Sequence, residues 1–359
     1  MRVLLLSKYP RKGASSRLRS LQYLPYLNSR GINVVESSLF DERYLNSLYQ
    51  SNQRSVLHVG CRYFKRLCVL FTLFRYDVLW IEKEVFPYFP AVVERLLKLM
   101  RKPFIVDYDD AIFHNYDLSS NALIRRVLGQ KIDRVMAYAS HVVAGNEYLA
   151  ARATRAGSTK ITIIPTVVDH TRYNPVASPE SKKLIIGWIG SPSTEKYVVA
   201  IREPLIRLCR EHDARLLLVG ATDGVRSEFD SDLLELQPWS EASEPELISR
   251  MDIGIMPLAD GPWERGKCGY KLIQYMASGK PVIASPVGVN VDIVNDAACG
   301  LLAGDDEGWG AALEAVLSDS TARARLGQQG RAAVEERYSL QAQAPRLAEV
   351  IIASANTSY

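Results

Sequence analysis

Lys267 and Lys271 lie four residues apart in the stretch Trp-Glu-Arg-Gly-Lys-Cys-Gly-Tyr-Lys-Leu-Ile-Gln-Tyr-Met-Ala-Ser-Gly, residues 263–279. The glycines and the apolar run after them predict a loop, a helix over 270–277 stopped at Gly279, and a buried strand over 281–284. A helix N-terminus offers unpaired N–H groups and the positive end of its dipole. With two lysines beside it, that end is an anion site. Gln274, one turn further in, can both donate and accept hydrogen bonds, which suits a ribose diol.

Carboxylates cluster elsewhere. Asp107-Tyr108-Asp109-Asp110 follows an apolar run. Such a group can cap a following helix, sit in solvent, or hold Mg²⁺ or Mn²⁺ through Asp107 and Asp109. His114 stands just beyond it. Glu82-Lys83-Glu84 places two carboxylates at i and i+2, on one face if the chain there is extended. They would position a hydroxyl, or simply end a strand in solvent. The histidines at 58, 141, 170 and 212 have no metal spacing and read as structural, and no G-x-G-x-x-G, Walker or G-x-S-x-G signature occurs.

These groups need rigid elements to hold them. Apolar runs at residues 3–6, 32–35, 78–81, 104–106, 141–144 and 161–164 alternate with helical segments, the first of them over 18–29. The Met-Arg-Val-Leu-Leu-Leu start reads as the first strand and not as a signal peptide. Residues 174–183, rich in Pro and Ser, read as a linker. The pattern then restarts at 184–189, 215–219, 252–256 and 281–284. Strand–helix alternation argues for parallel, doubly wound sheets, so the class is α/β with two domains.

The 359 residues are 47% hydrophobic and 23% charged, ordinary globular proportions that exclude disordered and fibrous classes. The five cysteines, 61, 68, 209, 268 and 299, form no C-x-x-C pair and point to a reducing cytoplasm. The net charge of +4 divides unevenly: residues 1–180 carry +11 and residues 181–359 carry −7. The basic half suits anionic lipid, a phosphorylated acceptor or nucleic acid. Residues 61–76 mix aromatics with Arg and Lys. With Arg95, Lys98, Arg101 and Lys102 they make either a membrane-surface face or a core helix with snorkelling ends.

Gln274-Tyr275-Met276-Ala277-Ser278-Gly279-Lys280-Pro281-Val282-Ile283-Ala284-Ser285 resembles the donor-binding motif of glycosyltransferase family 4, retaining enzymes of GT-B architecture. Ile163-Ile164-Pro165-Thr166-Val167-Val168-Asp169 resembles that family's crossing into its second domain, and Ile186-Gly187-Trp188-Ile189-Gly190 the first strand after it. Gly327-Gln328-Gln329-Gly330-Arg331 and Tyr338-Ser339-Leu340 resemble its closing helices. The chain departs from the family's Glu-x7-Glu element, which has Gly266 and Gln274 here, and Ser191 replaces an Arg.

The resemblance implies two Rossmann-like domains facing across a cleft: 1–170 on the acceptor side, 171–338 binding the donor, and 339–359 crossing back to the first. It implies transfer of a sugar from a nucleotide-diphosphate sugar to a glycan or lipid-linked acceptor in polysaccharide biosynthesis. By the same resemblance no cofactor or metal is expected, and no nucleic acid is expected as a partner. Work at the inner face of the membrane fits the basic half. Asp109, Lys196 and Lys271 would be catalytic. Donor contacts would come from Gly13, Ala14, Arg17, Gly190, Ser191, Lys196, Lys267, Tyr270, Lys271 and Gln274. Gly13 and Ala14 would let backbone approach the phosphates and Arg17 would clamp one; otherwise 12–17 is a basic solvent loop. Glu82, Glu84, Asp110 and His114 would face the acceptor. The rivals are a metal-dependent phospho- or glycosyltransferase built on Asp107 and Asp109, a non-catalytic nucleotide-sugar-binding protein, and a sugar-nucleotide epimerase.

Overall fold

The computed structural model describes residues 1–50, 55–175 and 183–356, in two compact units. The first comprises Met1–Thr166, Gly266–Cys268 and the chain from Gln343 onward. The second comprises Val167–Arg265 and Gly269–Ala342.

The first unit has six parallel strands: β1 (Arg2–Ser7), β2 (Asn33–Ser38), β3 (Val78–Glu82), β4 (Phe104–Tyr108), β5 (His141–Ala144) and β6 (Ile161–Ile163). Their order is β2-β1-β3-β4-β5-β6. β3 and β4 are buried along their whole length, as strands covered on both faces must be. In the register, Leu5 lies opposite Trp80, and Glu82 opposite Asp107. Two carboxylates therefore end neighbouring strands at the carboxyl edge. The chain leaves β1 for β2 and returns to β3 on the other side, and open α/β sheets take ligands at such a reversal.

The second unit repeats the plan with β7 (Ile185–Ile189), β8 (Arg215–Val219), β9 (Leu234–Gln237), β10 (Ile253–Met256), β11 (Val282–Ala284) and β12 (Gly300–Leu302), ordered β12-β11-β10-β7-β8-β9. Alternate residues face opposite layers. Ile186, Trp188, Leu216, Leu218 and Ile255 enter one core, and Ile185, Ile189, Leu217, Val219 and Met256 the other. β9 and β12 were not expected from sequence; both are short edge strands, half-buried and without an apolar run.

Two expectations need correction. The helix over 18–29 is instead the helix Ala14–Arg19, a 3-10 turn Leu21–Tyr23 and the helix Leu24–Ser29. Pro25 lacks an N–H and sits in the first turn of the last piece, so one continuous ladder cannot form. Residues 61–76 belong to the helix Val56–Leu70 and the 3-10 turn Leu73–Arg75, but not as a core helix with charged ends. Arg66 is 2% exposed and donates to the carbonyls of Ser7 (2.6 Å) and Ser37 (2.9 Å). Phe71 and Phe74 are 80% and 74% exposed. The linker expected over 174–183 falls largely outside the described residues.

Candidate functional site

In the second unit, β7 ends at Ile189, and the chain passes through Gly190 and Ser191 into a 3-10 turn, Pro192–Thr194, and the helix Glu195–Ala200. The Ser191 N–H donates to Thr194 Oγ1 (3.1 Å) and the Thr194 N–H to the Ser191 carbonyl (2.8 Å), which closes the turn. The helix Tyr270–Ala277 is pinned against it. Tyr275 packs over Gly254 of β10 so closely that a Cβ there would lie 2.2 Å from the ring. The Tyr275 phenol oxygen accepts the Ile189 N–H at 2.9 Å.

The consequence is that Lys271 Nζ lies 3.5 Å from Thr194 Oγ1 and 4.5 Å from the centre of the Trp188 ring. Lys196, two residues past the turn, is exposed, with its ammonium 5.0 Å from the centre of the Tyr197 ring. A helix N-terminus with Tyr270 and Lys271 in its first turn thus stands beside a turn carrying Gly190 and Ser191 and the helix that follows it with Lys196. That arrangement can bind an anion.

Two donor candidates are placed differently. Gln274 is 2% exposed, and its amide faces the buried Tyr173 phenol. The expected ribose contact does not fit that burial: Gln274 lies on the helix face turned inward. Lys267 groups with the first unit, where its carbonyl accepts from Asn146 Nδ2 at 2.8 Å. Glu264, two residues before Gly266, accepts the Tyr197 hydroxyl at 2.5 Å.

In the first unit, the carboxyl edge of β1, β3 and β4 carries a dense charge network. Asp107 pairs with Arg19 (2.8 Å). Asp109 accepts from Ser15 Oγ (2.5 Å) and pairs with Lys83 (2.8 Å). Asp110, at 3.9 Å, is Lys83's second partner. Cys268 Sγ donates to the Asp109 carbonyl at 3.1 Å. Burial alone would raise the Asp109 carboxyl, but Lys83 outweighs it, with Arg19 and Ser15, and holds it down at about 2. Burial and the Asp109 charge push Asp110 up to about 6. Burial likewise pushes Asp107 up to about 6, against the pull of Arg19. Asp107 and Asp109 thus each face a protein cation of their own instead of sharing a pocket. Neither Asp109 nor Asp110 caps the helix that follows: the short helix His114–Asp117 has Phe113 at its N-cap and no side-chain cap.

Glu82 and Glu84 do not share a face. Lys83 has a φ of 66° and turns the chain between them. Glu82 accepts from Ser16 Oγ (2.6 Å) and the Lys8 N–H (2.9 Å). Glu84 accepts the Tyr116 hydroxyl (2.8 Å) and pairs with buried Lys131. His114 has both ring nitrogens engaged, Nδ1 with Asp117 (2.8 Å) and Nε2 with the Tyr148 hydroxyl (2.9 Å).

The segment expected as an open loop is the start of the helix Ala14–Arg19. Gly13 is small because Tyr9 covers it; a Cβ would sit 2.4 Å from the Tyr9 Cβ. Ala14 is exposed. Arg17 is buried at 7% exposure and donates to the Arg11 carbonyl (3.4 Å), so it is not held out as a phosphate clamp. Sequence reasoning missed Ser15, Ser16, Arg19 and Lys83. Their only signal was a serine pair ahead of two arginines, and a lysine between two glutamates.

Residues 183–319 match a family model described as glycosyl transferases group 1. A D-inositol 3-phosphate glycosyltransferase of Nocardia farcinica is 28% identical over 229 residues, 57% of this chain and 50% of that protein, so the match spans half the length of that relative. HepE of Anabaena, solved in complex with UDP, superposes with a TM-score of 0.73 at 16% identity, covering 98% of this chain and 100% of that one. It is also known with UDP-glucose. Sucrose-phosphate synthase from Thermosynechococcus elongatus gives 0.71 at 16% identity and 98% of each chain. The fold is the two-domain α/β architecture of GT-B glycosyltransferases.

Proposed function

We propose that this chain is a glycosyltransferase that moves a sugar from a nucleotide-diphosphate sugar to a hydroxyl of a glycan or lipid-linked acceptor. The reading includes retained anomeric configuration, no metal requirement, and a place in cell-surface polysaccharide synthesis. The observation that carries it is Lys271 at the N-terminus of Tyr270–Ala277, against the closed turn after β7, within the residues that match the group 1 model. The UDP and UDP-glucose complexes of HepE support a uridine nucleotide as the first donor to try.

In this mechanism the departing diphosphate needs positive charge more than the sugar needs a nucleophile. Lys271, Lys196 and the helix N–H groups would stabilise it. Asp109, ionised at neutral pH, would accept hydrogen bonds from sugar or acceptor hydroxyls. Asp110, which takes up a proton near 6, would sense the acceptor side.

The test is a melting and hydrolysis screen against UDP-, GDP-, ADP-, dTDP- and CMP-sugars. One nucleotide class should raise the melting temperature, and its sugar should be hydrolysed slowly without acceptor. Lys271→Ala should abolish turnover, about 100-fold or more, with melting of the unliganded protein nearly unchanged. Stabilisation by no nucleotide at all would overturn the reading.

A further inference from the structure

Two helices on the first unit turn their apolar stripes outward. On Val56–Leu70 and the residue after it, Phe64, Leu67 and Phe71 repeat at helical spacing, and they are 67%, 43% and 80% exposed. On Val92–Leu99, Val92, Leu96 and Leu99 do the same, at 48%, 50% and 69%. The inward faces hold Arg66 and Leu70 on one helix, Glu94 and Leu97 on the other. This inverts the ordinary pattern, in which apolar residues face the core.

The two stripes belong to one face. The Tyr63 hydroxyl donates to the Pro87 carbonyl at 2.8 Å, and its ring stands 5.2 Å from that of Phe86. At the other end, Lys102 donates to the Tyr76 carbonyl. These contacts hold the chain before and after Val92–Leu99 to the first helix and to the segment that follows it. Phe74 continues the first stripe at 74% exposure.

The exposed charges on the two helices are of one sign, and the acid at the rim, Asp77, acts on Lys102. Lys65, Arg75, Arg95, Lys98 and Arg101 are exposed. Residues 56–76 contain no acid, and the one acid in 88–102, Glu94, is buried and accepts the Val85 N–H at 3.0 Å. No helix among the described residues is long and apolar enough to cross a membrane.

We propose that this face lies on an anionic lipid surface, its aromatic and aliphatic side chains entering the headgroup boundary and its lysines and arginines meeting lipid phosphates. Apolar side chains flanked by cations are what interfacial binding requires. A second copy fits less well, because an isologous contact would set these cations against one another. The proposal is independent of the transfer reading, and donor binding is a separate measurement.

The experiment is flotation of the full chain with vesicles of phosphatidylcholine alone and with about 30% phosphatidylglycerol. The chain should float with the anionic vesicles only, and raising salt to about 0.5 M should release it. Phe64→Ser/Phe71→Ser/Phe74→Ser should weaken binding about tenfold, as should Lys65→Glu/Arg95→Glu, with unchanged melting temperature and unchanged nucleotide response. No flotation with anionic vesicles would overturn the proposal. So would flotation indifferent to both variants, or a dimer in sedimentation that the phenylalanine variant dissolves.

Discussion

Asp110 sits beside Asp109, whose charge and the surrounding burial push it up to about 6, while Lys83, Lys267 and Lys8 pull the other way. An ordinary aspartate titrates near 4, so between about 4 and about 6 the folded chain holds a proton that the unfolded chain has lost. This group's contribution to stability is therefore greatest below about 4 and falls as pH rises to about 6. Asp110→Asn should reduce the slope of that part of the melting-temperature profile, Asp107 supplying the rest, and stabilise the chain at pH 7 by on the order of 1 kcal/mol, since its partial exposure screens the full effect. An unchanged profile would show that Asp110 is not the titrating group. At this scale residue types were legible in the sequence and partners were not. Asp109 and Glu82 could be singled out as carboxylates after strands. Ser15, 94 positions from Asp109, and Ser16, 66 positions from Glu82, could not be assigned to them.

The helix Tyr270–Ala277 was legible almost to the residue, because Gly269 and Gly279 bracket it and its apolar residues repeat at helical spacing. The Tyr275 phenol ties the helix to two strands: it accepts the Ile189 N–H at 2.9 Å and donates to the Ile255 carbonyl at 3.3 Å. Tyr275→Phe leaves that buried N–H unpaired, at a cost of about 1–3 kcal/mol. Melting should drop by several degrees, and nucleotide affinity should fall with it as Lys271 loses its fixed distance to Thr194. Retention of both values would remove this bond from the account. The helix Ala14–Arg19 was harder to read, because Ala-Ser-Ser-Arg carries small and basic residues that also suit a loop. Tertiary bonds from Ser15 and Ser16 to the carboxylates of other strands accompany its helical start.

Over the whole chain, the +11 of residues 1–180 suits the anionic surface proposed for the first unit, whereas residues 181–359 carry −7 and the anion site there depends on positive charge gathered locally at Lys271 and Lys196. A chelator should leave donor hydrolysis unchanged, since Lys271 and Lys196 would supply the charge that a metal supplies elsewhere. Loss of activity with chelator, restored by Mg²⁺ or Mn²⁺, would instead revive the Asp107 and Asp109 alternative.

The sequence by itself determined the class, the two-unit α/β plan, ten of the twelve strands, and the lysine-bearing helix that carries the functional reading. Those features are local: they follow from apolar runs, periodicity and glycine stops, which act on neighbours in the chain. Only the tertiary structure decided that Gln274 turns inward, that Arg17 is buried, that Glu82 and Glu84 part company at Lys83, and that a phenylalanine face points outward while Arg66 goes in. Each depends on which strand end or carbonyl a side chain meets after dozens of intervening residues, and a buried charge goes where such partners already stand.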